Sequence, residues 1–336
     1  MKLSRHWVWG IKFGITAGVL AYLFRDLDWA LLREEFAGLS MGYYALGVVI
    51  TLVGLGISAM RWRLLLGVQE LSLSIKRAFT LTFIGIFFNA FFLGSTGGDI
   101  SKWYYIAREH PEHKTRAILS VIMDRAVGLM SLLGLGLLVL PWQARVLWEN
   151  DETRIFAVLL MVLFLVALGA IFLLLSFPFH RLPQNWHQQW VKIPGHQIAQ
   201  TLLSGFRAHG QNGRLTLLAF ALSLLLQFLL ILGGWALAQA LSIVITLPQV
   251  MLILVIVQIA ASLPISIGGH GVREAAMVML FGAFSIVSSD SPTAVTESAI
   301  AFSLLFFSLQ LWGSLLGGLL YLTRPDQKKY RPNSSA

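Results

Sequence analysis

Cysteine is missing from all 336 residues. Its absence excludes disulfides, thiolate zinc sites, iron–sulfur clusters and a thiol nucleophile. Charge is scarce too: 12% of residues are Asp, Glu, Lys or Arg, against 57% hydrophobic ones. A soluble domain carries roughly 25% charged residues, so this is not an ordinary soluble globule. Catalytic signatures are also lacking. There is no HExxH, Walker loop, GxSxG or kinase set. His110 and His113 in "REHPEHK" imitate a metal pair, but Pro111 separates them in a loop-like run, and no metal or cofactor is expected.

What is present are long apolar runs. Six reach the ~20 residues that a membrane-spanning helix needs: residues 7–24, 42–66, 117–141, 155–177, 215–240 and 298–322. The start, "MKLSRHWVWGIKFGITAGVLAYLF", is basic and then apolar but lacks a small-residue cleavage site, so it reads as a retained first helix. Two further runs are short. Residues 78–93 and 248–263 have 16 positions each, about 24 Å at 1.5 Å per residue, less than a crossing. Each is followed by a glycine-rich break and a second short segment. They read as helical hairpins over 78–108 and 248–284.

Cation placement orients these segments. If both hairpins are re-entrant, 19 Lys and Arg lie on the cytoplasmic side and 4 outside, with both termini cytoplasmic. If the short helices span instead, the count becomes 9 against 14. The hairpin topology is therefore expected. The chain is read as a single integral membrane domain, all-α, with about six full transmembrane helices and two oppositely oriented re-entrant hairpins. Residues 1–141 and 155–322 form an inverted-topology repeat, a frequent plan of transporters. The net charge of +9 then belongs to topology and anionic lipid headgroups, not to nucleic acid, for which no recognition module exists. Residues 178–214, with four basic residues, four histidines and no acid, read as a cytoplasmic interfacial segment.

The breaks share a pattern at an offset of 171 residues: Ser95, Gly97, Gly98 and Lys102 against Ser266, Gly268, Gly269 and Arg273. Glycine permits a sharp turn, and the N-terminus of a following half-helix favours an anion such as phosphate. Thr96 and His270 add polar groups, and Pro264 and Gly271 break the helix. Glycine pairs also serve plain helix packing, as at Gly10, Gly14 and Gly18 or Gly313 and Gly317. Asp124 and Arg125 lie two turns into an apolar span, and Arg273 and Glu274 follow the second break. Charges at such depth require partners. Neighbours on a helix diverge by ~100°, so partners on other helices are expected, such as Asp99 or Glu274 for Arg125. Arg61 and Arg63 read as interfacial anchors or phosphate contacts. Asn89 reads as a mate for broken backbone groups or a ligand contact.

The motifs "RWRLLL", "GGDISKWYYI", "SVIMDRAVGL" and "PISIGGHGVREA" resemble the lysylphosphatidylglycerol synthase transmembrane region family across nearly the whole chain. The resemblance implies a prokaryotic, multi-pass protein of the cytoplasmic membrane. It is similar to the flippase region of multiple peptide resistance factors, which translocate aminoacylated phosphatidylglycerol. It singles out Gly97, Gly98, Asp99, Asp124, Arg125, Pro264, Gly268, Gly269, Gly271, Arg273 and Glu274. Relatives often carry proline at Gly94 and arginine at Lys102. The soluble aminoacyl-transferase domain of the two-domain proteins has no counterpart here, so "synthase" is not carried over.

The expected function is a lipid flippase whose phosphate site uses Ser95, Thr96, Gly97, Gly98, Lys102, Ser266, Gly268, Gly269, His270 and Arg273. Asp99, Asp124, Arg125 and Glu274 form its charge network. The rivals are a membrane glycosyltransferase or accessory acting on polyprenyl-phosphate sugars, and a non-catalytic partner of a membrane enzyme. The expected partners are membrane phospholipid, a second copy of the chain through glycine-spaced faces, or a membrane enzyme.

Overall fold

The structure, a computed structural model, describes residues 29–91, 96–149, 151–176, 205–206, 208–262, 266, 269–286 and 292–323, with isolated positions between 14 and 25. The described chain is helical, with no strand among these residues. The helices are α1 (Trp29–Ala37), α2 (Met41–Val68), α3 (Ile75–Phe91), α4 (Gly97–Glu109), α5 (Lys114–Val139), α6 (Ala144–Glu149), α7 (Asp151–Ser176), α8 (Gly213–Ala240), α9 (Leu247–Ser262), α10 (Val272–Ala283) and α11 (Pro292–Leu322).

Four of them, α2, α5, α8 and α11, are long and apolar enough to cross a membrane. At 28 residues, α2 and α8 reach ~42 Å, more than a hydrocarbon core of ~30 Å, so they cross with tilt or project beyond it. α7 has 26 residues and an apolar centre, Ala157–Gly169. Expected spans thus fall on α2, α5, α7, α8 and α11, while the span at 7–24 and most of 178–214 lie outside the described residues. Large apolar side chains such as Val49, Leu165, Val166, Leu217 and Leu319 are exposed. A soluble protein would not tolerate so much exposed apolar surface, but lipid solvates it.

The most extensive helix pair is α2 with α8. They run antiparallel: the Ser40 amide donates to the Ala240 carbonyl at 2.9 Å, Gly47 faces Gly233, and Gly54 faces Leu226. Small residues bring the backbones together where lipid tails give no hydrophobic drive for association. Gly313 and Gly317 on α11 do the same within the chain, against Leu55 and Phe83.

The short helices pair off. α3 and α4 form an antiparallel hairpin. At its open end Arg77 Nε donates to Glu109 Oε1 at 2.8 Å; near its tip the Gly98 amide donates to Asn89 Oδ1 at 2.7 Å. α9 packs on α10, and Val250 to Val257 are buried without interruption, which is the pattern of a helix enclosed by protein on all sides. These residues join Met277, Phe281 and Phe302 in the main apolar core. A smaller cluster of Trp62, Leu66, Leu81 and Ile106 closes the base of the first hairpin.

The two faces of the first hairpin touch because Gly98 has no side chain: a Cβ there would lie 2.2 Å from the Gly85 carbonyl oxygen. Gly98→Ala is expected to wedge α3 from α4 and destabilise by about 1–3 kcal/mol. Gly134→Ala meets nothing within 4 Å and is expected to be neutral or slightly stabilising through helix propensity. Unfolding midpoints of the two variants in the same detergent check the contrast.

Candidate functional site

Two buried charge clusters stand on the two hairpins. The first is centred on Asp124 of α5. Its Oδ1 accepts from Arg61 Nε at 2.8 Å and its Oδ2 from Lys102 Nζ at 3.2 Å. α2, α4 and α5 thus supply one residue each. All three are buried, with 6% (Arg61), 8% (Lys102) and 7% (Asp124) of their surface exposed. Arg61 Nη1 also donates to Ser223 Oγ of α8 at 2.7 Å, and Ser223 lies 2.8 Å from Ser131 Oγ. Lys102 Nζ sits over the Trp62 ring, 4.8 Å from its centre. Such cation–π contacts strengthen when water is excluded.

Arg125, one residue on from Asp124, points elsewhere. Its Nε donates to Asp99 Oδ2 at 2.6 Å, with the arginine side chain half exposed. The partner expected on another helix is therefore Asp99, on α4. Asp99 also lies in the first turn of α4, where a carboxylate complements the helix dipole.

The second cluster belongs to α10 and α11. Glu274 is 2% exposed. Its Oε2 accepts from the Gly271 amide at 2.7 Å, reaching back over the first turn of α10 as a third-position cap does. Its Oε1 is paired with Arg273, and Arg273 Nε donates to Ser303 Oγ at 3.1 Å. Two adjacent residues form this ion pair although their helix directions diverge. The glutamate is turned back by its cap, and the long arginine follows it. Arg273 also stacks over Phe307 at 4.9 Å, and His270 meets the same ring edge-on. Gly269 and Gly271 have φ of +79° and +82°, the left-handed region that glycine alone enters without strain. These two residues make the turn into α10.

The clusters share no residue. Along α2, Arg61 marks the first, and Tyr44 is bonded at 2.9 Å to Ser308 of α11, the helix that carries Ser303 and Phe307 of the second. Arg61 and Tyr44 are ~25 Å apart along α2. The glycine breaks also differ from anion loops in one respect. The Gly98 amide is taken by Asn89 and the Gly271 amide by Glu274. Gly97 and Gly98 are buried in the α3–α4 contact, and Thr96 makes no side-chain cap bond to α4. Ser266 is buried with an unpartnered hydroxyl. Ser95, Pro264 and Gly268 lie outside the described residues.

Sequence reasoning reads Arg61 as an interfacial anchor or a phosphate contact and not as a partner of Asp124, and passes over Ser223, Ser303 and Gln227. The signal was available in part, because each of those three is a polar residue with apolar neighbours on both sides inside an apolar span. Gln227 Nε2 donates to the Gly128 carbonyl at 3.4 Å, while its Oε1 and Trp62 Nε1, both buried, have no partner.

The fold and these clusters define a multi-pass helical membrane protein with ionisable groups held inside its bundle. The chain belongs to the lysylphosphatidylglycerol synthase TM region family, which it matches over residues 9–318. That membership points to a membrane-lipid-related function. No curated protein matches the chain.

Proposed function

We propose that the protein moves an anionic or aminoacylated phospholipid between the leaflets of a prokaryotic cytoplasmic membrane, with both of its own termini cytoplasmic. The observation that carries this reading is the charge balance of the two clusters. Arg61 and Lys102 share one carboxylate, Asp124, which leaves one buried cation in excess; the Asp99–Arg125 pair beside it is balanced. Arg273 and Glu274 cancel. A buried uncompensated charge costs several kcal/mol unless an anion visits it. The phosphate therefore rests on Lys102 and Arg61, within reach of the unpartnered donor of Trp62. The second hairpin holds the opposite end of the path, with the Ser266 hydroxyl as its free polar group, His270 beside Arg273 and Arg273–Glu274 as its lock.

An inverted repeat suits alternating access from two sides. Supporting it, α2 and α8 have equal length and run antiparallel. Each is followed by two short helices and a long one. α3 packs on α11 as α9 packs on α5, and α4 packs on α5 as α10 packs on α11.

The test is reconstitution in liposomes with headgroup-labelled phosphatidylglycerol, following its passage between leaflets. The parent protein is expected to accelerate passage, and Lys102→Met to return it to the protein-free rate. Equal rates for parent and variant would remove the phosphate from Lys102, and a parent rate equal to empty liposomes would overturn flipping of this lipid.

A further inference from the structure

A cavity of about 380 Å³ lies on the other side of α5 from the hairpin. Its volume falls in the range of small-molecule sites, roughly 300–1,000 Å³. α7 and α8 each pack on α5 but have no extended contact with one another, so a gap opens between them with α5 as its floor. Met123, Val127 and Met130 of α5, Leu168 of α7, and Leu217 and Phe220 of α8 line it. Phe206, His209 and Gly210 lie at one end.

The medium around the gap identifies its occupant. Leu168 and Leu217 line the cavity and are also exposed, and Leu165 and Val166 continue the exposed apolar face of α7. On a membrane-spanning bundle such faces meet hydrocarbon, so the gap opens sideways into the acyl region. The polar lining is confined to one end, at His209 and Thr216. His209 is held in place: Gln69 Nε2 lies 2.9 Å from its Nε2, and Thr216 Oγ1 donates to its carbonyl at 2.8 Å. Burial lowers its pKa to about 4, so this end is polar and uncharged near neutral pH. Apart from His209, no residue that lines the cavity is ionisable. From Met123 to Met130 the floor runs ~10 Å along α5, a length suited to part of one extended chain.

We infer that the cavity between α7 and α8 holds one acyl chain of a membrane phospholipid, inserted from the side over α5. The inference is independent of whether the protein moves lipid. Met123 and Val127 are its reporters, because both are buried and line the cavity.

The full chain is reconstituted in phosphatidylethanolamine–phosphatidylglycerol vesicles that contain a phosphatidylglycerol with a diazirine midway along one chain. It is then irradiated, and the adducts are mapped by mass spectrometry. Adducts are expected on Met123 and Val127 as well as on exposed Leu165 and Val166. Ala126→Phe, which fills the cavity from its floor, is expected to abolish the first pair and leave the second. Ala126→Leu, a milder filling, serves if the phenylalanine variant fails to fold. Label on Leu165 and Val166 without any on Met123 and Val127 would overturn the inference. So would label on Met123 and Val127 that persists in a folded, filled variant, or a photoactivatable residue at position 130 that captures residues 178–204 of the chain itself.

Discussion

Asp124→Ala is expected to cost about 3–5 kcal/mol of stability, because it strands two buried cations on one another. Arg61 and Lys102 meet only through this carboxylate, and Ser223 alone cannot neutralise a guanidinium. Lys102→Met should behave differently. It removes the cation that is in excess and leaves the 2.8 Å Arg61–Asp124 pair whole, so its cost is expected to stay within about 1 kcal/mol. Reversible unfolding in mixed micelles measures both. The combination of a stable Lys102→Met protein with lost lipid passage separates a ligand-binding cation from a structural one. If Lys102→Met unfolds as readily as Asp124→Ala, the three residues form a mutual lock and the excess-charge argument falls.

The second large effect is expected at Glu274. Its carboxylate caps α10 at Gly271, pairs with Arg273 and accepts a weak bond from Ser303. Glu274→Ala removes all three at once and is expected to cost about 3–5 kcal/mol. Faster hydrogen exchange in the first turns of α10 should accompany the loss. Glu274→Gln retains an acceptor for the Gly271 amide and should fall between. The paired replacement Arg273→Met with Glu274→Leu removes both charges together and should recover most of the loss, since an absent pair costs less than a broken one. A loss below about 1 kcal/mol for Glu274→Ala would contradict the capped-lock arrangement; the paired replacement failing to improve on it would show that Arg273 acts beyond Glu274.

The same geometry changes how the glycine breaks are understood. A helix N-terminus is a ready anion site only while its amides are free. Here each hairpin supplies an acceptor for one of those amides, Asn89 for that of Gly98 and Glu274 for that of Gly271. The excess charge instead lies one turn further along α4, where Lys102 meets α2 and α5. Gly98 serves the close approach of α3 to α4, and Gly271 the left-handed turn into α10.

Much was legible in the sequence because a bilayer imposes length and polarity on every crossing. Runs of ~20 apolar residues are long enough to be spans, and runs of 16 fall short of that length. The apolar runs placed α2, α5, α7, α8 and α11, and the short runs with their glycine breaks placed both helix pairs. Asp99 as one of two expected mates of Arg125, and Asn89 as either a mate for broken backbone groups or a ligand contact, followed from the cost of leaving such groups unpaired in hydrocarbon; the structure pairs Arg125 with Asp99 and the Gly98 amide with Asn89. The family followed from four motifs in order, and the match over residues 9–318 agrees with it. What composition and periodicity could not reach was partnership across the bundle. Arg61 and Asp124 are 63 positions apart, and Arg61 and Ser223 are 162 apart. No local rule distinguishes an arginine that snorkels to water from one drawn inward by a carboxylate on another helix. Only the packing of α2 on α8, permitted by Gly47, Gly54 and Gly233, and of α4 and α5 beside them decided that Arg61 is buried and that it shares the Asp124 carboxylate with Lys102.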